Sequence, residues 1–393
     1  MYHGLLSRRS HTTSLWANNY SLMKESLLIS VFLAVAISCN SKHVSSELPQ
    51  LIDLVISDSI RVNENGFFLN GQGQIKIVGD SLIAVSSIKN PAIGFINIRN
   101  GKQIAQISAS DFPEAPFFPS SFDIVDFPIL YIADRYSNSI YKFDILERKL
   151  LRRVKLQLPS ENVIKIAFGE FHKIKKGYIV ELTTNNIDTF HPDYYRKSKN
   201  LIYLFDNSGD SLGSFLEYPE IFKIQDGTIF SQKYLASTYS NNTFLYSYPH
   251  EKKVRRSDET PPFNISMELD LPLSRYFDYN LKGVDKIVTF DDLQYNVTIP
   301  QNDYFNSIIE NENAIYLQTW LIGDESKGLN RTSHLLIYNK KEKQWYETSN
   351  PRNILDIGML AGVVNDTLYF YEGSLMKSDE KYIKRAILKP IKE

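Results

Sequence analysis

Along most of the chain, apolar and polar residues alternate over short runs, and no long stretch keeps a helical period. That alternation predicts half-buried strands. Hairpin turns punctuate them at Asn65-Gly66, Asn70-Gly71, Asn100-Gly101 and Asp226-Gly227, since turns that match strand twist need residues tolerant of positive φ. One unit recurs: an apolar strand, a short turn, a second apolar strand and a charged turn. It occupies residues 80–87 with 94–103, 129–136 with 139–149, 176–183 with 201–210, 233–240 with 243–252, 313–320 with 334–343, and 365–372 with 374–381. Each pair is read as the second and third strands of one unit. Taking Ile98, Phe143, Phe205, Tyr248, Tyr338 and Met376 as equivalent gives spacings of 45, 62, 43, 90 and 38 residues.

Blades of about 40–50 residues with insertions have this period. A lone blade leaves both sheet faces in water, whereas a closed ring covers them all. The predicted fold is therefore all-β: a β-propeller of six four-stranded blades over residues 51–393. Phe263–Val297, with the strand-like run 286–290, leaves room for a seventh blade. A linear solenoid is the alternative, although its repeats are shorter and more regular. Composition agrees with strands, since aromatics make up 13% and are nearly all Tyr and Phe.

The exception to alternation lies near the N-terminus. Met23–Cys39 has a lysine near its start, an apolar run from Leu27 to Ile37, then Ser38 and the only cysteine. The run is shorter than the roughly 20 residues that span a bilayer and fits a signal-peptide core. Ala36-Ile37-Ser38-Cys39 resembles the lipobox of bacterial lipoproteins, with Ala36 and Ile37 departing from the usual residues. The resemblance implies a signal peptide over 23–38, lipidation of Cys39 and a polar tether over 39–50. The alternative is an ordinary signal with an incidental cysteine. Residues 1–22 then read as an over-extended N-terminus; Arg8-Arg9 suggests a twin-arginine signal, but Ser10-His11 stand where apolar residues belong. A sole cysteine leaves no disulfide to support the fold. The net charge of −1 gives no electrostatic footprint for nucleic acid and no polybasic membrane patch.

Tyr131-Ile132-Ala133-Asp134, Asn138 and Ile140-Tyr141-Lys142-Phe143-Asp144 resemble an NHL-type propeller repeat. Asp206 matches Asp144, whereas Arg99, Pro249 and Lys377 do not. Together with the lipobox, the chain resembles uncharacterised six-bladed β-propeller lipoproteins of Gram-negative bacteria. That resemblance implies fold and an outer-membrane anchor, on the periplasmic or the surface face. It implies no activity.

Loops between second and third strands open on one face of a propeller, which makes them the candidate ligand face. The short ones present Arg135, Tyr136, Asn138 and Asn242. The long loop Thr184–Asn200 presents Asp188, His191, Asp193, Tyr194, Tyr195 and Arg196. Leu321–Ser333, after Trp320, presents Asp324, Glu325, Lys327 and Arg331. Loops longer than a turn requires are often functional, although polar loops can equally be plain solvated surface. Ala109–Ser121 could add a rim of Phe112, Phe117 and Phe118, or simply fill the boundary between blades.

Catalytic signatures are missing from the sequence: there is no GxSxG and no HExxH. His191 and Asp193 are a close His–carboxylate pair in the long loop, and His172, His191, His250 and His334 fall in separate segments, so no metal or cofactor is expected. Asp134, Asp291 and Asp292 are acids that could reach a central channel. The expectation is a lipid-anchored envelope module that binds a carbohydrate or protein through the loop face. The alternatives are a propeller enzyme (glycan lyase, glycosidase or lactonase) with acids at the channel mouth, and a subunit of an envelope assembly.

Overall fold

A computed structural model of the chain describes residues 48–64, 72–87, 89–165, 169–187, 191, 193–198, 200–223, 235–248, 251–284, 300–323, 331–372 and 380–391. The signal segment, Cys39 and most of the tether lie outside the described residues, as do Asp291, Asp292 and the run 286–290. Among the described residues, no helix is long and apolar enough to cross a membrane.

The fold is all-β and propeller-like. The chain enters through β1 (Gln50–Arg61), whose partners come last in sequence. A first antiparallel sheet follows in simple order: β2 (Gln72–Val78), β3 (Leu82–Ser87), β4 (Ala92–Asn97) and β5 (Gln103–Ser108). The second repeats it with β6 (Pro119–Asp123), β7 (Ile129–Asp134), β8 (Ser139–Asp144) and β9 (Lys149–Lys155). In the third, β10 (Asn162–Ile164) and β11 (Phe171–Ile174) both pair with β12 (Gly177–Thr184), followed by β13 (Asn200–Asp206) and β14 (Ser211–Glu217). The fourth holds β15 (Ala236–Ser240), β16 (Thr243–Ser247), β17 (Lys253–Asp258) and β18 (Ile265–Asp270).

The remaining strands are β19 (Tyr304–Glu310), β20 (Ala314–Trp320), β21 (Thr332–Ser333), β22 (Leu335–Asn339), β23 (Gln344–Thr348), β24 (Arg352–Asn353), β25 (Met359–Val364), β26 (Thr367–Glu372) and β27 (Tyr382–Pro390). Apart from the short β21–β24 pair, they form one eight-stranded sheet ordered β19-β20-β22-β23-β1-β27-β26-β25. Its two halves meet at β1. That strand pairs parallel to β23 only over Gln50–Ile52, but antiparallel to β27 from Ile52 to Arg61.

Packing between sheets follows chain order and returns to its start. Phe95 and Ile107 of the first sheet pack with Phe122, Ile132 and Phe143 of the second. Similar clusters join the second to the third, the third to the fourth, and the fourth to β19–β23. Ala361, Tyr371 and Ile383 pack in turn against Ile83, Val85 and Ile96, which brings the last strands back to the first sheet. Gly362 permits that closure: a Cβ there would lie 2.8–2.9 Å from Ile77 side-chain atoms.

First strands share an irregularity that shapes the centre. β2, β6, β19 and β25 each carry a bulge near their N-terminal ends, and in the third sheet β10 and β11 are separate strands on β12. A bulge frees backbone groups from the ladder, and buried polar side chains on second strands satisfy several of them. Ser86 Oγ accepts from Gln74 N (2.8 Å), Asp134 from Phe118 N (2.5 Å) and Glu181 from Glu170 N (2.9 Å). Asp134 therefore anchors backbone and is not an acid at a channel mouth.

Two strand assignments need correction. Residues 233–240 and 243–252 were expected as second and third strands of a unit, but β15 and β16 are the first and second; β17 is the third. First and second strands are both well buried here, so their apolar patterns look alike. Of the third strand expected over 374–381, residues 374–379 lie outside the described residues; the strand that pairs with β26 is β27, which begins at Tyr382.

Candidate functional site

β2, β6, β11, β15, β19 and β25 surround one cavity of about 360 Å³. One side of it is charged. Lys76 Nζ lies 3.0 Å from Asp123 Oδ1, and the same carboxylate accepts the backbone N–H groups of Ile124 (3.0 Å) and Lys173 (2.8 Å). Burial pushes the Asp123 carboxyl up, but Lys76, His172 and the Lys173 N–H outweigh it and hold it below the usual carboxylate range.

Beside it stand Glu170, His172 and Ser237. The Ser237 hydroxyl donates to Glu170 Oε2 at 2.6 Å. Its single proton is thereby committed, so His172 Nε2, 2.9 Å from the same oxygen, must donate its own N–H to Ser237. Glu170 Oε2 also lies 3.5 Å from that same nitrogen. A nucleophile relay needs the serine on one ring nitrogen and the acid on the other. The triangle lacks that arrangement, so His172 does not activate Ser237 as a nucleophile in this geometry. Tyr239 donates to Glu259, and burial followed by that carboxylate pushes its ionisation well up.

The β19 and β25 stretches that complete the lining are mostly apolar, with Ile309, Met359, Leu360 and Val363 packed into the cores between sheets. Asn306 and Ser307, on the β19 bulge, also line the cavity, and their Nδ2 and Oγ are buried atoms without a hydrogen-bond partner. Among the described residues, no cluster of three His, Cys, Asp or Glu could hold a metal ion.

The residues expected on the loop face scatter. Tyr136 is 70% exposed and leans on the Phe118 ring at 4.9 Å. Arg135 caps the Ile164 carbonyl, and Asn138, at φ 47°, accepts from Ile164 N at 3.5 Å. In the long loop, Tyr194 and Tyr195 begin a one-turn helix, α1 (Tyr194–Lys197), and are buried rather than displayed. The Tyr195 ring packs on Tyr218 (4.8 Å) and on Phe222 (5.0 Å) of α2 (Glu220–Lys223). Asp193 sits 3.5 Å from Arg196 and 3.4 Å from Lys197, and its N–H donates to His191 Nδ1 at 3.0 Å. Thus His191 and Asp193 organise their own loop.

Trp320 is buried against Tyr304 (5.5 Å), Ile354 and Met359. Arg331 is half-buried, and its carbonyl accepts from Ile354 N. Asn242 belongs to the β15–β16 turn, between first and second strands, and so lies off the expected face. Phe112 and Phe117 are buried in the core between the first two sheets and form no rim. Asp188, Asp324, Glu325 and Lys327 lie outside the described residues.

Sequence reading missed Lys76, Asp123, Glu170, Ser237 and Asn306, and took His172 as isolated. All lie on, or next to, first strands, which the recurring unit did not include except at residues 233–240, where β15, with Ser237, was read as a second strand. A polar residue inside an otherwise apolar strand just ahead of each unit was the available signal: Lys76 in QIKIV, Asp123 in SSFDIV, His172 in EFHKI.

No protein-family profile matches the chain, and no curated protein sequence matches it. Among solved structures, a protein of Bacteroides fragilis described as exported is 12% identical, covering 87% of this chain and 100% of that one, with a TM-score of 0.52. A protein of unknown function from Bacteroides caccae is 13% identical over 80% of this chain and 98% of its own, at TM-score 0.43. Virginiamycin B lyase from Staphylococcus aureus is 14% identical over 86% and 100%, at 0.42. What the first likeness shows is the fold. The other two are too distant in structure to carry an argument.

Proposed function

We propose that the protein is an exported, lipid-anchored β-propeller of six blades that binds a carbohydrate in its central cavity. The blade count follows from dividing the eight-stranded sheet at β1, whose longer pairing assigns it to β27 as the outermost strand of the last blade. Export rests on the signal-like Met23–Cys39 and has support from the B. fragilis protein of similar fold described as exported. Anchoring rests on Cys39 at the lipobox position.

The observation that carries the ligand class is the mixed lining of the cavity. Charged and hydrogen-bonding residues of β2, β6, β11 and β15 line it together with largely apolar stretches of β19 and β25, where Asn306 and Ser307 hold unpartnered polar atoms. A sugar ring matches such a site, since it offers hydroxyls around its edge and C–H groups on its faces. The rim favours a protein partner less, because Tyr194, Tyr195 and Trp320 are buried.

The second reading is a propeller enzyme acting on glycans or lactones, favoured by Asp123, Glu170 and His172 sharing one cavity. Release of product from a bound sugar polymer or lactone would establish it. Binding itself is tested by saturation-transfer NMR against a panel of monosaccharides, using wild type, Asn306→Leu and Tyr136→Ser. Loss of signal in the cavity variant alone supports the proposal. Loss only in the rim variant, or no binding of any sugar, overturns it.

A further inference from the structure

Counting carboxylates against lysines and arginines, and leaving His172 aside, the charges lining the cavity do not balance. Among the described lining residues, two carboxylates, Asp123 and Glu170, face one lysine, Lys76, and that lysine is paired with Asp123 at 3.0 Å. The neighbouring cations are engaged elsewhere. Lys173 directs its ammonium away to the Gly177 carbonyl (3.2 Å) and Asn207 Oδ1 (3.1 Å), over the Tyr178 ring. Lys165 is paired with Glu181 at 2.5 Å. Glu170 is left with the Ser237 hydroxyl on Oε2, since the His172 Nε2–H, 3.5 Å from that oxygen, donates to Ser237. Its other oxygen, Oε1, receives no hydrogen bond from any described residue.

A largely buried carboxylate in that position has a desolvation cost that one neutral hydroxyl does not offset. The natural complement is a cation on the ligand. Asn306 Nδ2, a buried donor without a partner, calls at the same time for an acceptor oxygen. We infer that the occupant carries a protonated primary amine, which binds Glu170 Oε1, together with hydroxyl oxygens that accept from Asn306. Within the carbohydrate reading, on which this inference rests, the ligand class is a sugar with a free amino group.

The test compares glucosamine, N-acetylglucosamine and glucose by saturation-transfer NMR titration on wild type, Glu170→Gln and Asn306→Leu. Charge-assisted hydrogen bonds are about twice as strong as neutral ones, so wild type should bind glucosamine about tenfold more tightly than either neutral sugar. Glu170→Gln should erase that preference. Asn306→Leu should weaken all three sugars.

If wild type binds the neutral sugars as well as glucosamine, His172 balances Glu170 internally; the amine inference then fails and the carbohydrate reading stands. If no sugar binds, both fail. Because the preference is read on wild type, the inference stays testable even should Glu170→Gln not fold.

Discussion

Glu347→Gln tests how the fold holds its connections. Glu347 and His334 are both fully buried, with Nε2 3.1 Å from Oε1. The carboxylate also accepts from Ser274 Oγ, from Arg275 N at 3.2 Å and from Arg275 Nη1 at 3.2 Å. Arg275 Nη1 reaches on to the Pro49 carbonyl at 2.7 Å. One carboxylate therefore fixes the segment leaving the fourth sheet and the entry to β1. The glutamine amide keeps the shape but loses the charge, and it turns an N–H₂ toward donors.

Losing about two charge-assisted hydrogen bonds at roughly 1.5 kcal/mol each gives about 3 kcal/mol, near the lower end for breaking a buried ion pair. At about 2 °C per kcal/mol for a large domain, the melting temperature should fall by about 6 °C at neutral pH. Burial pushes the Glu347 carboxyl up, but the hydrogen bonds of His334 and Ser274, the attraction of His334 and the Arg275 N–H hold it below its ordinary 4.5. Its stabilisation is thus complete above the unfolded value and disappears as pH falls through the folded one. Melting curves by circular dichroism from neutral to acid pH should show the variant with a flatter acid limb. A melting point within about 1 °C of wild type at neutral pH, or an unchanged acid limb, refutes the reasoning.

Other outcomes follow from single residues. Gly362→Ala sets a methyl 2.8 Å from Ile77 Cγ1 and should cost about 1–3 kcal/mol by overpacking, read as a lower urea midpoint and partly restored by Ile77→Ala. Tyr136→Ser, at a site 70% exposed, should shift stability by less than about 0.5 kcal/mol in the same titration. Cys39→Ser should move the protein from membrane to soluble fractions; continued sedimentation with membranes contradicts the anchor.

Much of the strand pattern was legible in sequence. β3 with β4, β7 with β8, β12 with β13 and β20 with β22 match the predicted strand pairs, because second and third strands show runs of apolar residues between turns. Asn100-Gly101 is the β4–β5 turn, where Gly101 takes φ +69° and a Cβ would strike the Arg61 carbonyl. The pairing of β1 with β27 had no local sign, since the partners stand more than 300 residues apart and only closure of the ring brings them together. The cavity was hidden for a related reason. Lys76, Asp123, His172 and Ser237 come from separate first strands, and nothing in any one strand says that the others converge on it. Tyr194, Tyr195 and Trp320 misled in the opposite direction, since large aromatic residues in or beside a loop serve core packing as readily as recognition.

A crystal structure of the protein soaked with glucosamine tests the central claim most directly. The account predicts a sugar in the central cavity, its amine on Glu170 and a ring oxygen or hydroxyl on Asn306. A sugar bound at the rim beside Tyr136, or an empty cavity at a saturating sugar concentration, would contradict it.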